Sequence, residues 1–388
     1  MFSRSGSAIM RPAGRSSRTD PAFPLNSNTV YGKETDEMKK IGIIGFGYMG
    51  HFHMRKIAAF PDRARLAAVF DLKPEVRAEA ESLGIRAYDN QEDFLKEDLD
   101  LVVVSTPNNF HARYAIAAMR AGKNVLCEKP VTMSAAELER VIAVSNETGK
   151  LFTVHQNRRF DVDYLAVCEA VRSGEIGRIT TIESRVLGER GVCFGWRADP
   201  EAGGGMLYDW GVHLIDQMLM LYKGEKVESV YARLLSVLTP AVDDYFELSM
   251  RFSGGTTARI SVGTFALQKL PRWFLFGDRG TMKLDDFSGV VGGMARIREN
   301  VKGFDSVVGQ KSLGPSRTMA PLEKEMLEPL PLPVIEERPL AYWDDLLTSL
   351  EEGRKESLVK KAELLRQMRV VDAAFLSSRR EEVLKTDI

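Results

Sequence analysis

Three side chains with acid–base chemistry stand out in this sequence. Lys129 closely follows a short apolar run, residues 124–127, that is typical of a buried strand in a parallel sheet. The carboxyl end of such a strand is where open α/β sheets bind their ligands, and Pro130 favours an extended backbone at Lys129. Further along the chain, Asp209 and His213 lie four residues apart, a spacing that places two side chains on one face of a helix. Groups of these types are suited to moving protons at a bound ligand.

A glycine-rich segment upstream of these residues predicts a dinucleotide site. It lies between a predicted strand and a predicted helix and has the pattern G-x-G-x-x-G. The first glycine allows a tight turn, the second lets the backbone approach a pyrophosphate, and the third lets the helix pack on the strand. The phosphates then meet free N–H groups at the amino end of the helix. The predicted cofactor contacts in this segment are Gly45, Phe46, Gly47, Tyr48, Met49 and Gly50.

Asp71 indicates which dinucleotide this segment favours. It follows the second predicted strand, where an acid accepts hydrogen bonds from the adenosine ribose 2′-hydroxyl and repels a 2′-phosphate. NAD is therefore the predicted cofactor. NADP stays open because Lys73 is a nearby cation that suits a 2′-phosphate. Together with the lysine, the carboxylate and the histidine, the fingerprint predicts a nicotinamide-dependent oxidoreductase.

The composition narrows the class of protein. With 388 residues the chain is long enough for two domains. Its formal net charge of −1, from 53 basic and 54 acidic residues, gives no reason to expect nucleic acid or a membrane as partner. No apolar run approaches the roughly 20 residues that span a bilayer. The three cysteines are widely spaced and predict neither a disulfide framework nor a zinc site, so a reducing, cytoplasmic location is expected.

No metal site is predicted. His51 and His53 lie on the first predicted helix without partners of the kind that bind metals, and His155 is predicted to be structural. No cluster of cysteine, histidine and acidic residues occurs at ligand spacing in the sequence.

The pattern along the chain predicts an extension and then two domains. Residues 1–37 are rich in Ser, Arg, Pro and Asn and predict a disordered extension, with a transit peptide as the alternative. Residues 38–155 alternate short apolar runs with helical patterns, which predicts an NAD(P)-binding Rossmann domain with a doubly wound parallel sheet. Its predicted strands lie at 41–45, 65–70, 101–105, 124–127 and 151–155, and its predicted helices at 48–60, 74–83, 111–121 and 134–146.

Residues 156–388 predict an α+β domain with a largely antiparallel open sheet, for substrate binding and oligomerisation. Region 301–333 contains five prolines and is expected to be a long surface loop, followed by two closing helices. The predicted strands lie at 178–186, 227–238, 245–252, 256–265, 273–277 and 281–284, and the predicted helices at 163–173, 208–221, 340–350 and 359–376.

Four segments resemble the glucose–fructose oxidoreductase / inositol dehydrogenase / MocA family, and the resemblance covers nearly everything from Met38 to about Leu384. The last segment matches the family's pattern of glycines followed by Asp-x-Gly-x-His-x-x-Asp. Such a combination in this order is highly specific. The segments are GFGYMG at 45–50, TPNNFHARYAIAAMRAGKNVLCEKP at 106–130, NRRFD at 157–161 and GGGMLYDWGVHLIDQ at 203–217.

The resemblance implies that Asp209 and His213 are catalytic. Oxidising a secondary alcohol removes a hydride to the nicotinamide and a proton from the hydroxyl, and an imidazole with a reference pKa of about 6.5 suits the proton step near neutrality. His213 is then the general base, and Lys129 stabilises the developing alkoxide charge. Asp209 orients the substrate hydroxyls or tunes the lysine–histidine pair.

Further contacts follow from the same resemblance. Arg158 and Arg159 follow the last Rossmann strand at the expected domain junction, where contact of one of them with substrate or cofactor and a salt-bridge role are equally open. Beyond the glycine-rich segment and Asp71, the expected cofactor contacts are Thr106, Asn108, His111, Glu128 and Lys129. The expected substrate contacts are Lys129, Asn157, Arg158, Trp196, Arg197, Asp209 and His213.

The leading expectation is an NAD(P)-dependent dehydrogenase that oxidises a ring hydroxyl of a cyclic polyol, sugar or glycoside. The NRRF and LYDWGVHLIDQ segments are similar to the scyllo-inositol dehydrogenase branch, which favours inositols. One alternative is a redox-neutral NAD-dependent glycosidase with a tightly held cofactor. Another is a non-catalytic regulator that senses nucleotides or sugars, which predicts loss of Lys129, Asp209 or His213, although all three are present. A homodimer or homotetramer is expected, because an open sheet leaves an apolar face that needs a partner.

Overall fold

The computed structural model describes residues 38–191, 193–301 and 321–388. The predicted extension at 1–37 and most of the predicted loop at 301–333 lie outside the described residues. None of the helices in the described ranges is both long enough and apolar enough to cross a membrane.

The first part of the described chain alternates strands and helices. Its elements are β1 (Lys39–Ile44), α1 (Tyr48–Ala58), β2 (Ala64–Phe70), α2 (Pro74–Ser82), β3 (Arg86–Tyr88), α3 (Gln91–Leu95), β4 (Leu101–Val104), α4 (His111–Arg120), β5 (Asn124–Cys127), α5 (Ala135–Thr148) and β6 (Phe152–Val154). The six strands form one parallel sheet in the order β3-β2-β1-β4-β5-β6, which confirms the predicted doubly wound fold. Because the chain changes direction between β1 and β4, a crevice opens at the carboxyl ends of these strands.

Two short elements of this first part, the strand β3 and the helix α3, were not predicted from the sequence. β3 has only three residues and pairs only with β2 at the edge of the sheet, and α3 has five residues. A three-residue edge strand does not need the continuous apolar run that marks a strand covered on both faces. The sequence pattern therefore gave no sign of it.

The second part is built around a nine-stranded mixed sheet within the described residues. Its elements are α6 (Val162–Ser173), β7 (Ile179–Leu187), α7 (Val212–Leu221), β8 (Val227–Leu235), β9 (Tyr245–Phe252), β10 (Thr257–Gly263), β11 (Trp273–Gly277), β12 (Gly280–Leu284), β13 (Gly292–Ile297), β14 (Leu327–Leu330), α8 (Ala341–Glu351), α9 (Lys361–Arg380) and β15 (Leu384–Lys385). The strand order is β14-β13-β12-β11-β7-β10-β9-β8-β15, and only β7 and β10 pair in parallel. The predicted α+β fold is confirmed. β13 and β15 were not predicted, and β14 lies inside the region predicted to be a loop.

The helix predicted at 208–221 is two different structures. The α-helix α7 begins only at Val212, and residues Leu207–Gly211 before it form one turn of π-helix, which we call the π segment. Asp209 lies in the π segment and His213 in α7. Such π turns in longer helices are frequent at functional sites because they change the direction in which side chains project.

The outer face of the second sheet differs from the apolar face that was expected. On β9 and β10, buried and exposed residues alternate, and the exposed ones include Glu247, Arg251 and Arg259. Arg259 also lies 3.5 Å from Glu183 of β7. This part of the face is therefore charged, and the argument that an apolar surface requires a partner does not apply to it.

A buried ion-pair network fixes α7 against the chain that leaves β6. Arg159 donates hydrogen bonds to both carboxylate oxygens of Asp216, each at 2.7 Å, and to Glu363 of α9 at 2.8 Å. The Arg159 and Asp216 side chains are only 6% and 3% exposed. Such a pair is costly to disrupt, because the remaining charge is left buried without its partner.

We predict that Asp216→Asn lowers the free energy of unfolding by about 3 kcal/mol, because among the described residues Arg159 then keeps only Glu363 as an anionic partner. Urea denaturation followed by circular dichroism measures the change. The matched control is Glu169→Gln, which breaks an exposed pair with Arg172 and should leave the free energy of unfolding nearly unchanged. Equal effects of the two substitutions would contradict the prediction.

Candidate active site

The loop after β1 has the backbone geometry that its three glycines predict. Gly45 has φ of +86°, and a Cβ there would lie 2.8 Å from the carbonyl oxygen of Ser105. A Cβ at Gly50 would lie 2.7 Å from the carbonyl oxygen of Gly45, so only glycine lets α1 pack this closely on the loop. Gly47 has open space at the same position, which leaves its backbone accessible to a ligand.

A cleft of 480 Å³ lies at the carboxyl ends of β1, β2, β4 and β5, within the size range of small-molecule sites. Trp196 and Arg197 reach it from the second part of the chain. Phe46 is buried behind it. Of the predicted cofactor residues, those that line the cleft are Gly45, Gly47, Tyr48, Met49, Asp71, Thr106, Asn108, Glu128 and Lys129.

The Asp71 carboxylate is held in place by backbone N–H groups. Oδ2 accepts a hydrogen bond from the N–H of Phe46 and Oδ1 from the N–H of Lys73, both at 2.9 Å. Each oxygen keeps a second lone pair for ribose hydroxyls. Arg77, which the sequence analysis did not consider, donates to the carbonyl oxygens of Asp71 and Leu72. Two residues with cationic side chains, Arg77 and Lys73, therefore lie next to Asp71.

His111 is fully buried and connects two loops of the cleft. Its Nδ1 lies 2.7 Å from the carbonyl oxygen of Pro130, and its Nε2 lies 2.9 Å from that of Thr106. Burial holds the pKa of His111 below its ordinary value. The ring therefore fixes the end of β4 relative to the loop that follows Lys129.

Lys129 and Asp209 form an ion pair between the two parts of the chain. The Lys129 ammonium donates to Asp209 Oδ1 at 2.8 Å and to the Asp209 backbone oxygen at 2.7 Å. Arg197 Nε lies 3.5 Å from the same Oδ1. Burial raises the pKa of Asp209, but the two cations outweigh it and hold that pKa below its ordinary value. Asp209 is therefore a stable anion that fixes the Lys129 ammonium.

His213 is buried beside this pair as a neutral imidazole. Its pKa is held well below the ordinary value, first by burial and then by the positive charges of Lys129 and Arg158. Nδ1 lies 3.1 Å from the amide oxygen of Gln156. Because that oxygen only accepts, Nδ1 carries the proton and Nε2 is left as the basic nitrogen.

Gln156 is the site residue that sequence reasoning missed. Besides orienting His213, it donates through Nε2 to Gln367 of α9 at 3.1 Å. Gln367 in turn donates to the carbonyl oxygen of Val212. Gln156 directly precedes the matched segment 157–161, but a glutamine at the end of a strand has no spacing signal that would distinguish it from a surface residue.

The structure separates the two predicted substrate residues that follow Gln156. The Arg158 guanidinium lies over the Trp210 ring at 4.1 Å and donates to Asp161 at 2.8 Å. Asn157 lines a different cavity, of 290 Å³, together with His155. Arg158 therefore contacts the π segment through Trp210, and Asn157 is not among the residues that line the cleft.

The triple glycine brings the loop with Trp196 and Arg197 to the cleft. Asn108 Nδ2 donates to the carbonyl oxygen of Gly203 at 2.7 Å. A Cβ at Gly204 would lie 2.4 Å from the carbonyl oxygen of Arg197. Close backbone approach therefore requires glycine here, and it places Arg197 next to Asp209.

His53, Glu128 and His155 form a buried cluster that the sequence analysis did not foresee. Glu128 Oε1 lies 2.8 Å from His53 Nε2 and 2.9 Å from His155 Nδ1. Ligand atoms of all three lie within 4.8 Å of one another, so the fold brings together a cluster that the spacing in the sequence did not indicate. Two imidazoles and a carboxylate are also metal ligands, but these distances are those of hydrogen bonds. Burial raises the pKa of Glu128, and the two imidazoles more than offset this and hold it well below the ordinary value.

Two family models match this chain. Residues 39–156 match the model described as an oxidoreductase family with an NAD-binding Rossmann fold. Residues 164–283 match the GFO/IDH/MocA C-terminal domain. The matched ranges coincide with the parallel sheet and with much of the mixed sheet.

Individual proteins are similar to this chain over different lengths. An uncharacterized oxidoreductase of Schizosaccharomyces pombe is 32% identical over 222 residues, which cover 55% of this chain and 60% of that protein. The scyllo-inositol 2-dehydrogenase (NADP(+)) of Bacillus subtilis is 26% identical over 362 residues, which cover 91% of this chain and 97% of that protein. The crystal structure of an NAD-binding protein from Listeria innocua superimposes with a TM-score of 0.78 at 33% identity, covering 90% of this chain and 97% of that one.

We predict that Lys129→Met raises the pKa of His213 toward, but not up to, its reference value of about 6.5. The substitution removes a neighbouring positive charge, whereas burial, the larger cause of the lowered pKa, remains. NMR titration of the imidazole C–H signals measures this, and a His213→Gln variant assigns the signal among the five histidines. Lys56→Met is the control with no expected change, and a wild-type pKa near 6.5 would contradict the analysis.

Proposed function

The chain belongs to the GFO/IDH/MocA family of oxidoreductases, whose first domain is NAD-binding, and on this premise we propose that it transfers a hydride between a ring hydroxyl of a cyclic polyol or sugar and a nicotinamide cofactor. The arrangement of Lys129, Asp209 and a neutral His213 beside the cofactor cleft carries this proposal. A base, a cation and an anion in this relation provide the proton chemistry that alcohol oxidation needs.

In the proposed mechanism each side chain has a separate task. His213 takes the hydroxyl proton at Nε2, because Nδ1 already donates to Gln156. Lys129 donates to the reacting oxygen and stabilises its developing negative charge. Asp209 keeps the Lys129 ammonium in place, and with Arg197 it faces the remaining substrate hydroxyls. The nicotinamide, when bound, accepts the hydride.

The dinucleotide fits the residues that are present. The glycine loop leaves backbone accessible at Gly47, and the Asp71 carboxylate has lone pairs for two ribose hydroxyls. We propose NAD as the preferred cofactor for this reason. NADP remains the second candidate, because Arg77 and Lys73 lie close by and because the similar Bacillus subtilis enzyme is named as NADP-dependent.

The polyol part of the proposal rests on similarity. The scyllo-inositol 2-dehydrogenase of Bacillus subtilis aligns over nearly its whole length, and a myo-inositol 2-dehydrogenase of Thermotoga maritima is 31% identical over 57% of its length. An inositol or a related cyclic polyol is therefore the first substrate class to test.

The proposal also covers the domain organisation, the cellular location and the oligomeric state. The NAD(P)-binding domain comprises residues 38–155 and the substrate-binding domain residues 156–388. The three cysteines are free, which suits a cytoplasmic location. We propose that two or four copies associate through the part of the outer face that carries the Phe274 and Phe276 rings, because the charged part on β9 and β10 offers no apolar surface.

We predict that Lys129→Met and His213→Gln each lower kcat by about 100-fold or more. The first removes the cation that stabilises the alkoxide, and the second removes the base that accepts the hydroxyl proton. The assay follows the absorbance of reduced nicotinamide with NAD and NADP against inositols, aldoses, glucuronides and glycosides. Cofactor affinity, measured by calorimetry, should change little, and Lys226→Gln serves as a surface-lysine control.

Near-normal turnover in either variant would reject the assigned roles. Tightly held cofactor that shows no net reduction with any polyol would instead support the redox-neutral glycosidase.

We further predict that Asp71→Ser raises the KM for NAD about 10-fold or more, because the ribose loses hydrogen bonds to a charged acceptor. The KM for NADP should change less, since the variant no longer repels a 2′-phosphate. Steady-state kinetics with both cofactors measures the ratio, and Glu75→Gln at the start of α2 is the control acid. An unchanged ratio would assign cofactor preference to other residues.

A further inference from the structure

Asp243 holds the beginning of the π segment that carries Asp209. Its Oδ2 accepts a hydrogen bond from the N–H of Leu207 at 2.8 Å, and its backbone oxygen accepts one from the N–H of Met206 at 2.9 Å. These N–H groups lie at the start of the helical turn, where intrahelical partners are lacking. A Cβ at Gly205 would lie only 2.1 Å from Asp243 Oδ1, so the carboxylate is packed directly against the backbone that enters the π segment.

The next residue connects this contact to the loop that lines the cleft. The Asp244 carboxylate accepts hydrogen bonds from three successive N–H groups, the last of them that of Thr239. Thr239 Oγ1 accepts a hydrogen bond from the N–H of Cys193 at 3.1 Å. The same loop continues to Arg197, whose guanidinium lies 3.5 Å from the Asp209 carboxylate. Asp243 and Asp244 therefore fix both sides of the Asp209–Arg197 contact.

Asp243 also lines a cavity that is separate from the cleft. This cavity has a volume of 630 Å³ and shares no lining residue with the cleft. Asp372 and Arg379 of α9 line it as well. Asp243 can therefore exchange a proton with solvent through this cavity when ligands fill the cleft.

The charge state of Asp243 is sensitive near neutral pH. Burial raises the pKa of Asp243 to about 7, and the neighbouring charge of Asp244 adds to the increase. The N–H groups of Leu207 and Met206 act in the opposite direction and lower this pKa. The other ionisable groups near it are Tyr208 from the π segment, Cys193 from the cleft loop, and Asp372 and Arg379 from α9. By contrast, His213 stays neutral well below this pH.

We propose that Asp243 is a positioning residue, and that its ionised carboxylate holds the π segment in the arrangement that turnover requires. A charge-assisted hydrogen bond is about twice as strong as a neutral one, so protonation of Asp243 weakens the hold on Leu207. Asp209 and its ion pair with Lys129 then lose their fixed position. The inference rests on the proposed function, and it assigns the acid limit of activity to Asp243 and not to the general base.

The linkage between folding and protonation separates positioning from stability. Because the pKa of Asp243 is higher in the folded than in the unfolded chain, its contribution to stability is full below the unfolded value and is lost as the pH rises through about 7. The ionised carboxylate thus costs stability while it supports turnover. A neutral residue of the same shape removes that cost, so Asp243→Asn should not lower the melting temperature above neutral pH.

The first test compares pH profiles of kcat. In the wild type we expect kcat to fall toward acid with a midpoint near the Asp243 pKa of about 7. In Asp243→Asn the maximal kcat should be about 10-fold lower, because a charge-assisted hydrogen bond becomes a neutral one. The fall of kcat toward acid pH should be absent in this variant. Asp372→Asn is the matched control, because it lines the same cavity but accepts from Ala135 at the start of α5. Its profile should keep the wild-type midpoint.

The second test does not depend on activity. Trp210 lies in the π segment, and the chain has four tryptophans, so fluorotryptophan NMR with a Trp210→Phe variant assigns its signal. We expect the Trp210 signal to shift with a midpoint near pH 7 in the wild type. The shift should be absent in Asp243→Asn and in Asp243→Ser, which keeps one acceptor oxygen without a titrating proton.

The outcomes separate the two hypotheses. The inference is overturned if the fall of kcat near neutral pH persists in Asp243→Asn or disappears in Asp372→Asn. It is also overturned if replacing Asp243 leaves the Trp210 shift unaffected. If the wild type reduces no nicotinamide with any polyol, the proposed function fails while the Trp210 titration still decides the positioning role.

Discussion

The ion pair between Lys129 and Asp209 is the interaction on which the rest of the candidate site depends. Lys129 lies two residues after the end of β5 of the parallel sheet, and Asp209 lies 80 residues later in the π segment. Their side chains are only 18% and 20% exposed, so each charge relies on the other more than on water. The pair therefore fixes the parallel-sheet part and the mixed-sheet part of the chain relative to each other at the place where the proposed chemistry occurs.

Keeping such a pair in register requires rigid support on both sides. On the parallel sheet, the buried Glu128 carboxylate is held by two imidazoles and accepts the N–H of Lys129. On the other side, Asp243 holds the start of the π segment, and the Arg159–Asp216 pair holds α7 behind it. The Glu128 and Asp216 carboxylates are each satisfied by several donors, which is the condition under which burying a charge is tolerated, whereas the Asp243 carboxylate is held mainly by the N–H of Leu207.

The same charges explain why His213 suits the role of base. Two cations nearby and a buried environment disfavour the imidazolium, so the ring is neutral and able to accept a proton. Those cations also favour negative charge on a substrate oxygen. The lowered pKa keeps the ring free to accept a proton but also makes it a weaker base, so proton removal from a hydroxyl depends on the same cations stabilising the alkoxide.

The sequence by itself determined the parallel sheet, the glycine loop and the position of Lys129 after β5. These features are local, because glycine geometry and apolar runs are set by residues adjacent in the chain. Only the tertiary structure decided that Gln156 orients His213 and that Glu128 meets His53 and His155. These partners are separated by 27 to 75 residues, and no periodicity reports such contacts. The π segment was hidden for a related reason: a π turn and an α turn have the same apolar pattern over five residues, and packing against distant groups selects between them.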